Sequence, residues 1–233
     1  MKKESFVRIF KRFSFSLVLF FSFSLLFSQS PINLRNIRIA LWAELDAYPE
    51  LYEKNEDLLA HTKKRIRKLS VFLMEGMVYG WNFVYTPSDK MRGVEEFLEV
   101  TPIKSFDEAD LSKLNYTDQF FEDDRVTVWC DYQRSEHQIQ EYKLWSSIQN
   151  PLIQGRGFGK IKDGFDGIET AAKNALKEAV RARYRAEIKN KPKEISGSVL
   201  IRQPPLVGIT EGQYAIFLDF FLERDRIIQY TTY

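Results

Sequence analysis

Gly155–Ala186, reading GRGFGKIKDGFDGIETAAKNALKEAVRARYRA, is the stretch that decides the fold. Its second half is helical by pattern. Ile168, Ala172, Ala175, Ala179, Ala182 and Ala186 recur at alternating steps of four and three, which places them on one face of an α-helix. A stripe this small lets a helix sit close against a sheet. Lys191-Pro192 ends the pattern, so the spacing predicts a helix over about 167–189. The first half carries Gly155, Gly157, Gly159, Gly164 and Gly167 and reads as a flexible strand-to-helix connection with close backbone packing. It is not a phosphate loop. A Walker loop needs glycine five positions before its Gly-Lys pair and Ser or Thr after it, and Gln154 and Ile161 stand there. A dinucleotide fingerprint must open directly into a helix, and the glycines here precede it by several residues.

Working outward, Ile195–Ile201 and Gln213–Leu222 read as strands separated by the Pro204-Pro205 turn region. Towards the N-terminus, Asn36–Glu44 alternates Ile37, Ile39 and Leu41 with Arg38, Ala40 and Trp42, a strand pattern. Asn55, Glu56 and Asp57 form a helix start, and Leu59, Thr62, Ile66, Leu69 and Leu73 give an apolar face to a helix over about 55–76. Met77–Tyr85 and Val94–Thr101 are read as a hairpin broken by Thr86-Pro87-Ser88-Asp89. Lys104–Asp124 is acidic and mixed, a connecting segment. Arg125–Gln133 is a strand. Glu136–Ile148 has two readings: Ser135 and Gln138 make a capping box, whereas Tyr142, Leu144, Ser146 and Ile148 alternate as in a strand. It is assigned here to a second hairpin. The expected class is α+β: antiparallel sheets built of hairpins, packed by two amphipathic helices at about 55–76 and 167–189. Residues 29–233 form a single domain on this reading, with 104–124 as the joint if it divides into two sub-domains.

The first 28 residues read as an address. Lys2, Lys3, Arg8, Lys11 and Arg12 face one acid, Glu4, and Phe13–Phe27 is a 15-residue run without a charge. A basic start, an apolar run of that length and a small polar exit at Ser28-Gln29-Ser30 make a secretory signal peptide, with cleavage expected after Ser28. The run is shorter than the about 20 residues a spanning helix needs. An uncleaved N-terminal anchor is the competing reading. A lipoprotein is not, since the single cysteine is Cys130. One cysteine also excludes an intrachain disulfide framework, which favours a bacterial envelope compartment.

The whole chain has 34 Lys+Arg against 32 Asp+Glu, a net charge of +2. Without residues 1–28 the count is 29 against 31, so the remaining chain is about −2. The overall basicity belongs mostly to the address, and no nucleic-acid partner is expected.

No catalytic set assembles along the sequence, and no catalytic residue, cofactor or metal ligand is nominated. Cys130, Asp131 and His137 are the nearest approach to a nucleophilic set, but adjacent strand residues point to opposite faces. Acids gather at Asp107, Glu108 and Asp110, at Glu122–Asp124, and at Asp163, Asp166 and Glu169, none in a calcium-loop register. The basic residues are more regular. Lys173, Lys177, Arg181 and Arg185 recur every fourth position along one edge of the second helix, and Lys64, Arg67 and Lys68 lie on the first. Repeated like charges at that spacing disfavour an isolated helix slightly. These seven residues are the candidate interaction surface, although the helix dipole also favours cations towards a C-terminus. Trp42, Trp81, Trp129 and Trp145 fall on expected strands and serve packing, with some free to line a groove.

The span from about Ile153 to Leu222, with its glycine run GRGFG, its helix AAKNALKEAVRARYRA and its paired strands, resembles small α+β domains of bacterial envelope lipoproteins and flagellar-assembly periplasmic proteins. The resemblance covers under a third of the chain and departs in lacking a lipidated cysteine. It implies a non-catalytic envelope part. The expected function is therefore an exported, periplasmic protein of binding or scaffolding type, whose partner is an envelope protein or an anionic envelope component. It has no membrane span once the signal is removed. The alternatives are an envelope hydrolase using carboxylate acid/base chemistry, drawn from the acidic loops and Asp131, and a peripheral membrane-surface protein held by its basic helix faces.

Overall fold

The computed structural model describes residues 33–45, 58–122 and 124–230. Residues 1–28, whose sequence reads as a signal, and the expected helix start at Asn55–Asp57 lie outside them. In chain order the elements are β1 (Asn36–Glu44), α1 (Leu58–Val78), β2 (Trp81–Thr86), β3 (Phe97–Pro102), α2 (Glu108–Leu111), β4 (Asn115–Glu122) and β5 (Arg125–Gln133). There follow α3 (Glu136–Trp145), β6 (Leu152–Lys160), α4 (Gly164–Glu187), β7 (Glu194–Ile201), β8 (Leu206–Thr210) and β9 (Gln213–Ile228). Strands β1, β5 and β4, in that order, make a three-stranded sheet. A second sheet runs β3-β2-β7-β9-β6, and β8 joins it by pairing with β9. Every pairing is antiparallel, so the chain is α+β, as its sequence pattern indicates. Residues from Leu34 onward belong to one compact unit.

One apolar cluster joins the two sheets. Ile37, Ile39 and Leu41 of β1 alternate inward with Val126, Val128 and Cys130 of β5, because successive strand residues face opposite sides. Thr62, Ile66, Leu69 and Leu73 of α1 are buried as their helical spacing requires, and α1 packs on β1 and β5 of one sheet and β7 of the other. The hairpin β2–β3 forms in the expected place, with Trp81 opposite Pro102 and Thr86 opposite Phe97.

The glycine run is a strand, not a connection. Gly155, Gly157 and Gly159 occupy alternate positions of β6, all on the face that meets α4. A Cβ on any of them would overlap a backbone carbonyl oxygen of α4, those of Ala175, Ala171 and Gly167 respectively. Sheet and helix therefore touch backbone to backbone, a contact that only side-chain-free strand positions permit. The true connection is one 3₁₀ turn, Ile161–Asp163, and α4 begins at Gly164. Its buried face is also wider than the alanine stripe. Ala171, Leu176, Val180 and Tyr184 are buried, while Ala182 and Ala186 are exposed.

Three further corrections concern local signals. Glu136–Trp145 is a helix rather than half of a hairpin: Ser135 Oγ accepts from the Gln138 amide (3.3 Å) and Gln138 Oε1 accepts from the Ser135 amide (2.9 Å). The capping box wins, and the apparent alternation is incidental, since Leu144 and Ile148 are exposed while Ile139 and Tyr142 are buried one turn apart. Trp145 accordingly ends a helix instead of lying on a strand. The segment 104–124 contains α2 and the sheet strand β4. Finally, β8 pairs with β9 across a tight turn in which both Glu211 (φ 52°) and Gly212 (φ 69°) have positive φ, the turn that matches strand twist.

Candidate functional site

Two concave regions carry chemistry. The first is an open groove of about 1100 Å³ between the ends of α1, α2 and α3. Its floor is organised by Asp110 of α2, 3% exposed. Asp110 accepts from Tyr79 Oη (2.6 Å), Tyr132 Oη (2.9 Å) and Lys113 Nζ (3.0 Å), with Lys104 Nζ at 3.7 Å. Gln138 Nε2 donates to both tyrosine hydroxyls at 3.0 Å. The groups arrive from five places in the chain, so Asp110 ties the three-stranded sheet to α1 and α3. Burial pushes its carboxyl up, but hydrogen bonds from Tyr79, Lys113 and Tyr132 outweigh that and hold it down to about 2. A carboxylate fixed in its ionised form is a structural pin. It does not have the raised pKa of a general acid.

The sequence's nucleophilic set does not assemble. Cys130 is fully buried, and burial pushes its thiol up to about 12, which makes it inert. Asp131 lies on the other face of β5, with Arg38 Nε at 3.6 Å and Thr117 Oγ1 donating at 3.1 Å. His137 stands exposed on α3, 3.7 Å from Glu141.

The seven nominated cations separate into two groups. Lys68 lies 3.8 Å from Asp166 and 4.1 Å over the Phe165 ring, beside the start of α4; Lys64 and Arg67 are exposed on α1. Arg185 is 19 residues beyond Asp166 on the same helix, a distance on the order of 28 Å at helical rise. Lys68 therefore stands beside the start of α4 and Arg185 towards its far end. Acids satisfy most of the α4 row. Lys173 pairs with Glu169 (2.6 Å), Lys177 with Glu96 (3.0 Å), and Arg181 with Glu178 (3.7 Å) and Glu96 (3.9 Å). Among the described residues Arg185 has no carboxylate partner.

Arg185 opens onto the second concave region, where α4 ends. A cleft of about 350 Å³ is lined by Arg181, Arg185, Lys189 and Lys191, with Tyr85 and Glu96 opposite. It adjoins another of about 970 Å³ through Ser88, Lys189 and Lys191, which adds Lys90, Met91 and Arg92. The loop 87–94 is closed by reciprocal backbone bonds between Asp89 and Val94, both 2.9 Å. Asp89 Oδ1 accepts from the Met91 amide (3.1 Å) and Oδ2 from Arg92 (2.6 Å), and the guanidinium holds its carboxyl below the ordinary range. Lys191 Nζ donates to the Ser88 carbonyl (2.8 Å), joining this loop to the one after α4.

Six cations and three carboxylates line the joined clefts. The carboxylates are already engaged: Asp89 with Arg92, Glu96 with Lys177 and Arg181, Glu187 with Arg183. Lys90, Arg185, Lys189 and Lys191 have no carboxylate partner among the described residues. Sequence reasoning reached Arg181 and Arg185 but missed Lys90, Lys189 and Lys191. Their signal was present as charges flanking two turn regions, Lys90 and Arg92 in one and Lys189, Lys191 and Lys193 in the other.

This basic, loop-built end belongs to a chain with known kin. The model of a protein family of unknown function matches residues 25–230, so the chain is a member of that family. A protein of Treponema pallidum (strain Nichols), named only "Uncharacterized protein", is 29% identical over 201 residues, covering 84% of this chain and 83% of that one. No solved structure matches it. No helix among the described residues is long and apolar enough to cross a membrane.

Proposed function

We propose that this is an exported bacterial envelope protein that works by binding, and that the basic end of α4 receives an anionic envelope component. The observation that carries the binding role is the group of four cations, Lys90, Arg185, Lys189 and Lys191, set around joined clefts whose three acids pair with other cations, namely Arg92, Lys177, Arg181 and Arg183. The helix dipole accounts for cations in the last turn of α4. It does not account for Lys90, which comes from a different loop and stands beside them. Export rests on the sequence of residues 1–28, and the resemblance of 153–222 to envelope domains agrees with it. The hydrolase alternative is less well supported, because Asp110, the buried carboxyl of the groove beside α2, is held low rather than raised.

The test combines fractionation with N-terminal mapping and a polyanion titration. The chain is expected in the envelope fraction with a new N-terminus after Ser28. Residues 29–233 should bind polyphosphate, and the paired change Lys189→Gln and Lys191→Gln should weaken it at least tenfold at low salt, where screening is least. Recovery of the unprocessed chain in the cytosol, or equal binding by the variant, overturns the reading.

A further inference from the structure

The loop carrying Lys90 has a feature that binding a small anion does not require. Met91 stands at its tip, 97% exposed, between Lys90 and Arg92. Single exposed apolar residues are common and need no explanation on their own. This one is held outward by a turn that is closed three times over, by the Asp89–Val94 bonds, the Asp89–Met91 amide bond and the Asp89–Arg92 pair. Arg92 is also stacked 4.3 Å over Tyr230. Lys189 and Lys191 flank it from the second loop, through the Lys191–Ser88 bond. An apolar tip ringed by cations without carboxylate partners matches the layering of an anionic bilayer, with acyl chains beneath charged headgroups.

We infer that this end of the molecule docks on an anionic lipid surface, with Lys90, Lys189, Lys191 and Arg185 at the headgroup phosphates and Met91 entering the acyl boundary. The inference rests on the anionic-component reading and names that component. Charge complementarity selects the surface. Each cation near such a surface strengthens binding about fivefold. The rigid turn means that little ordering is needed on contact.

Residues 29–233, which contain the compact unit from Leu34 onward, would be sedimented with vesicles of phosphatidylcholine alone and with about one-third phosphatidylglycerol, at low and high salt. Binding is expected only to the anionic vesicles and is released by salt. The triple change Lys90→Gln, Lys189→Gln, Lys191→Gln should weaken it roughly a hundredfold. Met91→Gln, which removes the apolar tip without changing the charge, should weaken vesicle binding while leaving polyphosphate binding unchanged, and near-UV circular dichroism would confirm that each variant folds. Binding to polyphosphate without binding to vesicles, or vesicle binding indifferent to Met91→Gln, overturns the membrane inference and leaves the anionic-component reading standing. Binding to neither overturns both.

Discussion

Gly157 of β6 lies directly against the backbone of α4: a methyl group there would overlap the carbonyl oxygen of Ala171 and crowd the amide of Ala175. Strand and helix meet in the same way at Gly155 and Gly159, so three glycines set the distance between α4 and the sheet. A methyl at Gly157 cannot be absorbed by a side-chain rotation, because the atoms it meets are backbone. Gly157→Ala should cost at least about 2 kcal/mol by overpacking, a fall in Tm of roughly 4–8 °C for a chain of this size. Gly208 of β8 is the control, since a Cβ there meets nothing within 4 Å. Gly208→Ala should leave Tm nearly unchanged. Thermal melts that lowered both alike would mean that close approach is not what the β6 glycines provide.

Asp110 makes the stability of the fold depend on pH. Its carboxyl is held down to about 2 in the folded protein against an ordinary 3.8. A depressed carboxylate contributes stability that is full above the unfolded value and lost as pH falls through the folded one. The window therefore runs from about pH 4 down to about pH 2, and the contribution at neutral pH is about 2 kcal/mol. Asp110→Asn should be destabilised by that order at pH 7 in urea unfolding, with the gap to the parent chain closing below pH 4. A gap that stayed constant to pH 2 would show that charge on Asp110 is not what Tyr79, Tyr132 and Lys113 hold.

How legible this was in the sequence depends on the range of each signal. Periodicity found α1 and α4 because burial on one helix face leaves its mark every three or four residues. The Ala182–Ala186 end of the stripe misled because alanine is small enough to be tolerated on either face, whereas Leu176, Val180 and Tyr184 report the buried side. Gly155, Gly157 and Gly159 read in the sequence as a strand-to-helix connection because glycine is the commonest loop signal. Their period of two was the strand signal, and its reason, contact with α4, is a tertiary one. The Ser135–Gln138 capping box is local and was visible; it lost to an alternation that tertiary burial does not support. The Asp110 site was not legible at all. Tyr79, Lys104, Tyr132 and Gln138 are separated by up to 59 residues and meet only once both sheets are in place. The basic end was half-legible for the same reason. The α4 row shows a helical period, while Lys90 joins it only through the fold.

Glu96 decides how positive the smaller cleft is. It is the only carboxylate among the residues that line it, and it accepts from Lys177 Nζ (3.0 Å) and Tyr85 Oη (2.8 Å) with Arg181 at 3.9 Å. Burial pushes its carboxyl up, but the bonds from Tyr85 and Lys177 and the charge of Arg181 outweigh this, so it is ionised at neutral pH. Glu96→Gln keeps the shape of the side chain and removes its charge, releasing Lys177 and Arg181 towards the cleft. The change should cost no more than about 1 kcal/mol of stability, as for partly exposed pairs. It should tighten polyphosphate binding roughly two- to fivefold, by the same order of energy applied with opposite sign. The gain should shrink as salt is raised, because it is electrostatic in origin. Isothermal titration at two ionic strengths reads both effects. Weaker binding by Glu96→Gln at low salt would place the anion away from this cleft, and the four cations around it would then have to be read as a solvated end of α4.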